Sequence, residues 1–182
     1  MNIKNFRLKG AILIEPKTYK DDRGFFSEGY NQDDFSKIIG KKVNFVQDNY
    51  SKSKKNVLRG LHYQKNPKAQ GKLIKVVSGE IFDVIVDIRK SSKTFKCWEG
   101  IELSSESNKQ IWIPEGFAHG FLALTDLAEV VYKVTEYYSP EYECSIRYDD
   151  PKLNIDWPKK SNYFLSEKDK DAGFLEENTL FE

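Results

Sequence analysis

Two histidines serve the whole of this 182-residue chain. His62 lies in Arg59-Gly60-Leu61-His62-Tyr63-Gln64, and His119 in Pro114-Glu115-Gly116-Phe117-Ala118-His119-Gly120. Each segment is glycine-flanked, apolar and aromatic, and reads as a strand. Imidazole titrates nearest neutrality, so histidine is the default general base. The pair therefore points to proton transfer inside a β-structure. The same scarcity limits metal chemistry. Two imidazoles, Cys97, Cys144 and no Cys-x-x-Cys leave few soft or borderline ligands.

Strand alternation tells which groups share a face. Leu58, Gly60, His62 and Gln64 fall on one side of their strand. Lys72, Ile74 and Val76 share a face, as do Asp83, Ile85 and Asp87, and as do Phe117, His119 and Phe121. Val130, Tyr132 and Val134 form another set. If these faces point inward, the interior holds both histidines, Lys72, Asp83 and Tyr132 among apolar walls, where titratable groups need partners or a task. Arg59 then points away from His62, unless a bulge at Gly60 re-aims it. Each residue also has a plain structural reading. A strand histidine is by default a hydrogen-bonded core group, Tyr132 a core aromatic and Lys72 a side chain reaching solvent. Asp169 is by default a solvated charge.

The elements that must position these groups are mostly short strands. Ala11 to Ile14 is a strand stopped by Pro16. Asp21-Asp22-Arg23-Gly24 is a turn, with a strand over Phe25–Tyr30. Asn31–Gly40 reads as a helix, with a polar start, Phe35, Ile38 and Ile39 at helical spacing and a glycine stop. Val43 to Tyr50 reads as a strand and Ser51 to Asn56 as a lysine-rich surface turn. Lys72–Val77 and Glu80–Asp87, separated by Ser78-Gly79, carry a hairpin signature. Further strands are expected over Phe95–Leu103, Lys109–Pro114, Gly120–Leu124 and Ala128–Tyr138. Regular spacing of short strands indicates a sandwich or barrel. A less regular tail begins at about Asp150.

The length suits one domain, 1–182. Lys and Arg total 29 against 28 Asp and Glu, so bulk charge offers no attraction for nucleic acid. No apolar run reaches the ~18 residues of a membrane span, and the N-terminus has no signal-peptide pattern. The expectation is a cytoplasmic protein whose two cysteines are thiols.

The ordered series of segments says more than any one of them. Asp22-Arg23-Gly24-Phe25-Phe26-Ser27-Glu28 is followed by Phe45-Val46-Gln47-Asp48-Asn49-Tyr50-Ser51 and Val57-Leu58-Arg59-Gly60-Leu61-His62-Tyr63-Gln64. Gly79 to Arg89, Ile113 to Phe121, Tyr137-Tyr138-Ser139-Pro140-Glu141, Asp149-Asp150-Pro151 and Leu165-Ser166-Glu167-Lys168-Asp169 complete it. From about Phe6 to about Asp169 the chain resembles the dTDP-4-dehydrorhamnose 3,5-epimerase family. The resemblance implies a mainly β, cupin-type double-stranded β-helix (a jelly-roll barrel) with a few short helices, assembled as a homodimer. It implies a cofactor-free, metal-independent isomerase. The substrate would be dTDP-4-dehydro-6-deoxy-D-glucose, and the product of inversion at C3 and C5 dTDP-4-dehydro-L-rhamnose.

Carried onto this sequence, His62 resembles the base, Asp169 its carboxylate partner, Tyr132 the acid and Lys72 the cation beside the C4 carbonyl oxygen. Asp83 and His119 complete the pocket. Arg23, Glu28, Gln47, Asp48, Asn49, Arg59, Glu143 and Lys168 match positions that hold the nucleotide and diphosphate. Phe26 and Tyr138 match aromatic positions near the base. In the family, the segment with Arg23 and Glu28 reaches into the neighbouring subunit's site. The competing readings are a mono-epimerase of C3 or C5 alone and a non-catalytic cupin that binds a sugar nucleotide. More distant are a 3,4-ketoisomerase and a metal-dependent cupin oxygenase.

Overall fold

Alternating apolar and polar residues commit most of the chain to short strands. The structure, a computed structural model, describes residues 2–158, 162–177 and 180–181. β1 (Asn2–Asn5) and β2 (Ile12–Glu15) come first. β2 stops before Pro16, which lacks the N–H that a ladder needs. β3 (Thr18–Asp21) and β4 (Gly24–Ser27) form a small hairpin over Asp22-Arg23, shorter than the strand expected to run to Tyr30. The helix α1 spans Gln32–Ile39. The Asn31 side chain accepts hydrogen bonds from the amides of Asp33 and Asp34, and Gly40 closes the helix in the left-handed region at φ 76°.

β5 (Gln47–Lys54) starts four residues later than the sequence suggests and absorbs most of the expected lysine-rich turn. It is an edge strand paired with its neighbour along its whole length. Ser51 and Ser53 turn inward, and Lys52 and Lys54 face solvent, where lysines protect an exposed edge. Then follow β6 (Leu58–Gln64), β7 (Lys72–Ser78), β8 (Glu80–Asp87) and β9 (Trp98–Ser104). β10 (Gln110–Ile113), β11 (Phe117–Ala123), β12 (Leu127–Val134) and β13 (Glu143–Ser145) complete the strands. The tail carries α2 (Glu167–Lys170) and one 3-10 turn, Leu175–Glu177.

Two antiparallel sheets result, ordered β1-β2-β10-β7-β12-β5 and β13-β6-β11-β8-β9, with the β3-β4 hairpin apart. They face each other in the jelly-roll form of a cupin-type double-stranded β-helix, open at their edges. The hairpin read at Ser78-Gly79 is not one: β7 lies in the first sheet and β8 in the second. Both strands have apolar inner faces, Ile74 and Val76 on one, Ile81 and Ile85 on the other, and these are buried against each other in the central core. Gly79 is therefore a corner between sheets. A Cβ there would lie 2.1 Å from the Leu127 carbonyl oxygen.

The outer faces are covered too. Phe35 of α1 packs with Ile12, Ile14, Leu73 and Trp112 outside the first sheet. The tail covers the second sheet through Leu153, Trp157 and Leu175, which pack on Leu58, Leu61 and Leu122. Residues 171–175 are thus docked, with Gly173 bridged to Ile146. Positions 159–161 and 178–179 of the tail lie outside the described residues. Cys97 and Cys144 are free thiols.

One irregularity decides which side chains face inward. β6 and β11 pair as His62↔His119, then slip by one residue to Arg59↔Phe121 and Leu58↔Leu122. The extra residue lies at Gly60-Leu61, opposite Gly120. Gly60 has φ 121°, and a Cβ on it would meet Gly120 Cα at 2.6 Å and the His119 carbonyl oxygen at 2.8 Å. Alternation is broken there. Leu58, Leu61 and Tyr63 share the outer core, so Arg59 and His62 share the inner face. The sequence rule that set Arg59 opposite His62 fails at this bulge. Gly60→Ala is expected to cost about 2 kcal/mol of stability, read as a lower urea midpoint at unchanged slope. A parental midpoint would show that the close approach is dispensable.

Candidate active site

At one end of the space between the sheets the apolar core gives way to a cavity of about 350 Å³. The second sheet supplies Arg59, His62 and Gln64 from β6 and His119 and Phe121 from β11. The first sheet supplies Gln47, Asn49 and Ser51 from β5, Lys72 from β7 and Tyr132 from β12. Tyr138 and Glu143 close the rim. His62 and Tyr132 therefore come from opposite walls.

His62 is held by a residue far along the chain. Its Nε2 lies 2.5 Å from Oδ1 of Asp169, which sits on α2 with its side chain 3 % exposed. An ionised carboxylate can only accept, so Nε2 carries the proton and, in the neutral ring, Nδ1 keeps the free lone pair. Burial lowers the His62 pKa from its ordinary 6.5. The Asp169 hydrogen bond and charge oppose this without outweighing it, while Lys168 and Lys72 add to the lowering. Asp169 thus favours the imidazolium, but desolvation is the larger effect and the net balance is a neutral base. Burial pushes the Asp169 carboxyl up. Hydrogen bonds from His62 and Ser166, with the charges of His62 and Lys168, outweigh it and hold Asp169 below the ordinary carboxylate value.

A second histidine–carboxylate pair stands beside the first. His119 Nε2 is 2.8 Å from Oδ2 of the fully buried Asp83. Asp83 Oδ1 is buried without a hydrogen-bond partner. Lys72 is buried too, and its ammonium donates to the His62 carbonyl oxygen at 3.3 Å. Burial pulls its pKa down to about 8 against the attraction of Asp83 and Glu143, with Lys168 adding to the fall. Burial also raises the Tyr132 phenol, with a smaller push from Glu143 and an opposing pull from Arg59, so Tyr132 keeps its proton at neutral pH. The cavity thus holds a neutral base, a weakly held ammonium and a protonated phenol.

The rim is cross-linked. Tyr138 donates its hydroxyl to Glu143 at 2.8 Å, and Glu143 pairs with Lys168 of α2. The Tyr138 amide donates to Gln47, whose side-chain amide donates to Asn49. Arg59 is steadied by Ser53 Oγ at 3.0 Å. Four residues carried over from the resemblance lie elsewhere in this chain. Asp48 is 71 % exposed on the outer side of β5, paired with Lys133, because alternation that turns Gln47 and Asn49 inward must turn Asp48 outward. Arg23 is 90 % exposed and paired with Asp21. Phe26 and Glu28 are exposed on or just after β4. Gln64 lines the cavity on the face expected from its spacing to His62, while Ser51, Tyr63 and Gln70 line it without having been singled out from sequence. Period two from Asn49 would have found Ser51. Gln64 binds the Lys68 and Tyr137 carbonyls and the Ser139 amide, which positions the rim loops.

The sequence profile of the dTDP-4-dehydrorhamnose 3,5-epimerase family matches residues 5–177. The chain belongs to this family. It is 55 % identical over 172 residues to a dTDP-4-dehydrorhamnose 3,5-epimerase of Salmonella typhimurium, covering 94 % of each chain. A dTDP-6-deoxy-D-glucose-3,5-epimerase from Legionella pneumophila, solved in complex with dTDP-4-keto-L-rhamnose, superposes with a TM-score of 0.93 at 51 % identity, over 96 % of this chain and 93 % of that one. A dTDP-4-dehydrorhamnose 3-epimerase of Streptomyces niveus is 37 % identical over 97 % of this chain and 85 % of its own.

In this epimerase-family member the described residues include no cluster of three or more His, Cys, Asp or Glu side chains that could hold a metal ion, and no helix among them is long and apolar enough to cross a membrane. Arg59 and Lys72 both bring positive charge to the cavity, and burial makes that of Lys72 titratable in the working range. An NMR titration of the Lys72 side chain is expected to give a midpoint near 8, well below that of solvent-exposed lysines. A midpoint at 10 or above would mean that burial does not govern this amine.

Proposed function

We infer that this chain is a dTDP-4-dehydrorhamnose 3,5-epimerase. It converts dTDP-4-dehydro-6-deoxy-D-glucose to dTDP-4-dehydro-L-rhamnose. The observation that carries the reading is the placement of His62 and Tyr132 on facing sheets with Lys72 in the same cavity, in a chain that matches the family over residues 5–177. The C4 ketone makes the protons on C3 and C5 acidic, because each carbanion delocalises as an enolate. His62 takes the proton at Nδ1, and Asp169 holds the ring and offsets the imidazolium that forms, as buried acids do in hydrolase triads. The Lys72 ammonium stabilises the oxyanion at O4, commonly the largest single contribution in such chemistry. Tyr132, on the other wall, returns a proton to the opposite face, which inversion requires.

His119 and Asp83 shape the sugar pocket. Arg59, Gln47, Asn49, Glu143 and Lys168 form the side that receives the nucleotide and diphosphate, Arg59 through charged hydrogen bonds to phosphate oxygens. We assign Arg23, Phe26, Glu28 and Asp48 to the neighbouring subunit's site or its border in a homodimer. The exposure of Phe25, Phe26 and Tyr19 on the β3-β4 hairpin supports that assignment. The whole span 1–182 is taken as one domain of a cytoplasmic enzyme.

The test is NMR in D₂O with dTDP-4-dehydro-6-deoxy-D-glucose. Deuterium is expected at both C3 and C5, with the acid limb of the rate lying below pH 6.5 because the His62 pKa is lowered from that value. His62→Ala should slow exchange at both carbons by about 10³-fold. Tyr132→Phe should impair inversion more than exchange. Label at a single carbon would make the protein a mono-epimerase, like the Streptomyces niveus relative. No label at either would overturn the reading.

A further inference from the structure

Two features of the matched motifs have no part in that chemistry: Asp150 and Ser166. Asp169 is carried by neither sheet. It rides on a strap, residues 163–175, that crosses the outside of the second sheet. The strap joins the body upstream of α2 where Phe164 bridges Val57, with the Leu58 amide donating to the Phe164 carbonyl at 3.1 Å and the Phe164 amide to Asn56 at 2.8 Å. It joins again downstream where the Arg147 amide donates to the Gly173 carbonyl at 3.0 Å. The Lys168–Glu143 ion pair ties its middle to β13.

Within this suspension two polar side chains fix the last degrees of freedom. Ser166 Oγ accepts from the Asp169 amide at 3.2 Å, which caps α2 and fixes the backbone that carries the Asp169 carboxylate. Asp150 is 1 % exposed. It spends both carboxylate oxygens on backbone amides, Oδ1 on Lys152 at 2.7 Å and Oδ2 on Leu175 at 2.7 Å. A buried carboxylate is costly unless such bonds are kept, so the Leu175 amide cannot drift without exposing that cost. Leu175 itself is fully buried against the second sheet.

We propose that Asp150 and Ser166 are positioning residues for the His62–Asp169 pair: Ser166, by capping the Asp169 amide, fixes the turn that presents Asp169, and Asp150 locks the strap that delivers it. The proposal rests on His62 as the base and Asp169 as its partner. Loss of either fixing point lets Asp169 retreat by a fraction of an ångström, which leaves the His62 tautomer unselected while the substrate walls stay in place.

Because the chain has two histidines, ¹⁵N-histidine NMR of the whole protein resolves His62 and His119 separately. In Asp150→Asn and in Ser166→Ala, His62 is expected to pass from the Nε2–H tautomer to a mixture, with a moved titration midpoint. His119, held by Asp83 in the core, is the internal reference and should not change. The kcat should fall about tenfold with KM within about twofold, and Ser166→Thr should restore the parental spectrum. An unchanged His62 in both variants, or equal changes at His119, would overturn the proposal. If Asp150→Asn does not fold, Ser166→Ala decides alone. A parent with a locked His62 tautomer that exchanges no deuterium would sink the epimerase reading and leave the positioning result standing.

Discussion

The backbone contact between Gly60 and Gly120 is the constraint on which the site depends. Two strands can approach this closely only where neither carries a side chain. The slip that follows puts Arg59 and His62 on one face and sends Leu58, Leu61 and Tyr63 to the other. Without it, a strictly alternating β6 would put either the base or the arginine outside. The bulge lets one short strand turn both an imidazole and a guanidinium into one cavity while still sealing the outer core with leucines.

Around that strand, burial sets the charge states. Desolvation acts on all the titratable groups in the same direction, toward neutrality, and the partners decide how far each one yields. His62 yields and stays neutral despite Asp169. Lys72 yields partway and remains a cation at neutral pH because Asp83 and Glu143 hold it. Tyr132 has little opposition and stays protonated. Asp169, with donors on two sides, resists and stays ionised. A neutral imidazole, an ammonium and a protonated phenol thus stand together at one low-dielectric end of a sandwich.

Much of this was legible in the chain. The limits of α1 follow from Asn31 and Gly40, and the inner faces of β7, β8, β11 and β12 follow from period two. The errors share a cause: local pattern does not report which strand becomes a neighbour. Ser78-Gly79 has the composition of a hairpin turn, yet sheet-to-sheet burial of Ile74 and Ile81 makes it a corner. Lysines at 52 and 54 suggested a loop until β5 proved to be an edge. Gly60 could be flagged as a bulge site, but its effect depends on Gly120, a residue 60 positions away. No spacing links Asp169 to His62; the family resemblance alone brought them together.

The wide separation of site residues along the chain has a kinetic side. His62 and Asp169 are 107 residues apart, and β6 finds β11 only after the chain has closed a loop of some sixty residues. Pairing at such distance is entropically expensive before it is rewarded, and it slows folding. Partly folded forms would therefore hold strands and apolar clusters but no assembled His62–Asp169 pair, so an intact cavity and completed topology should arrive together. In a folding experiment, recovery of activity would report the last long-range contact rather than the first compaction.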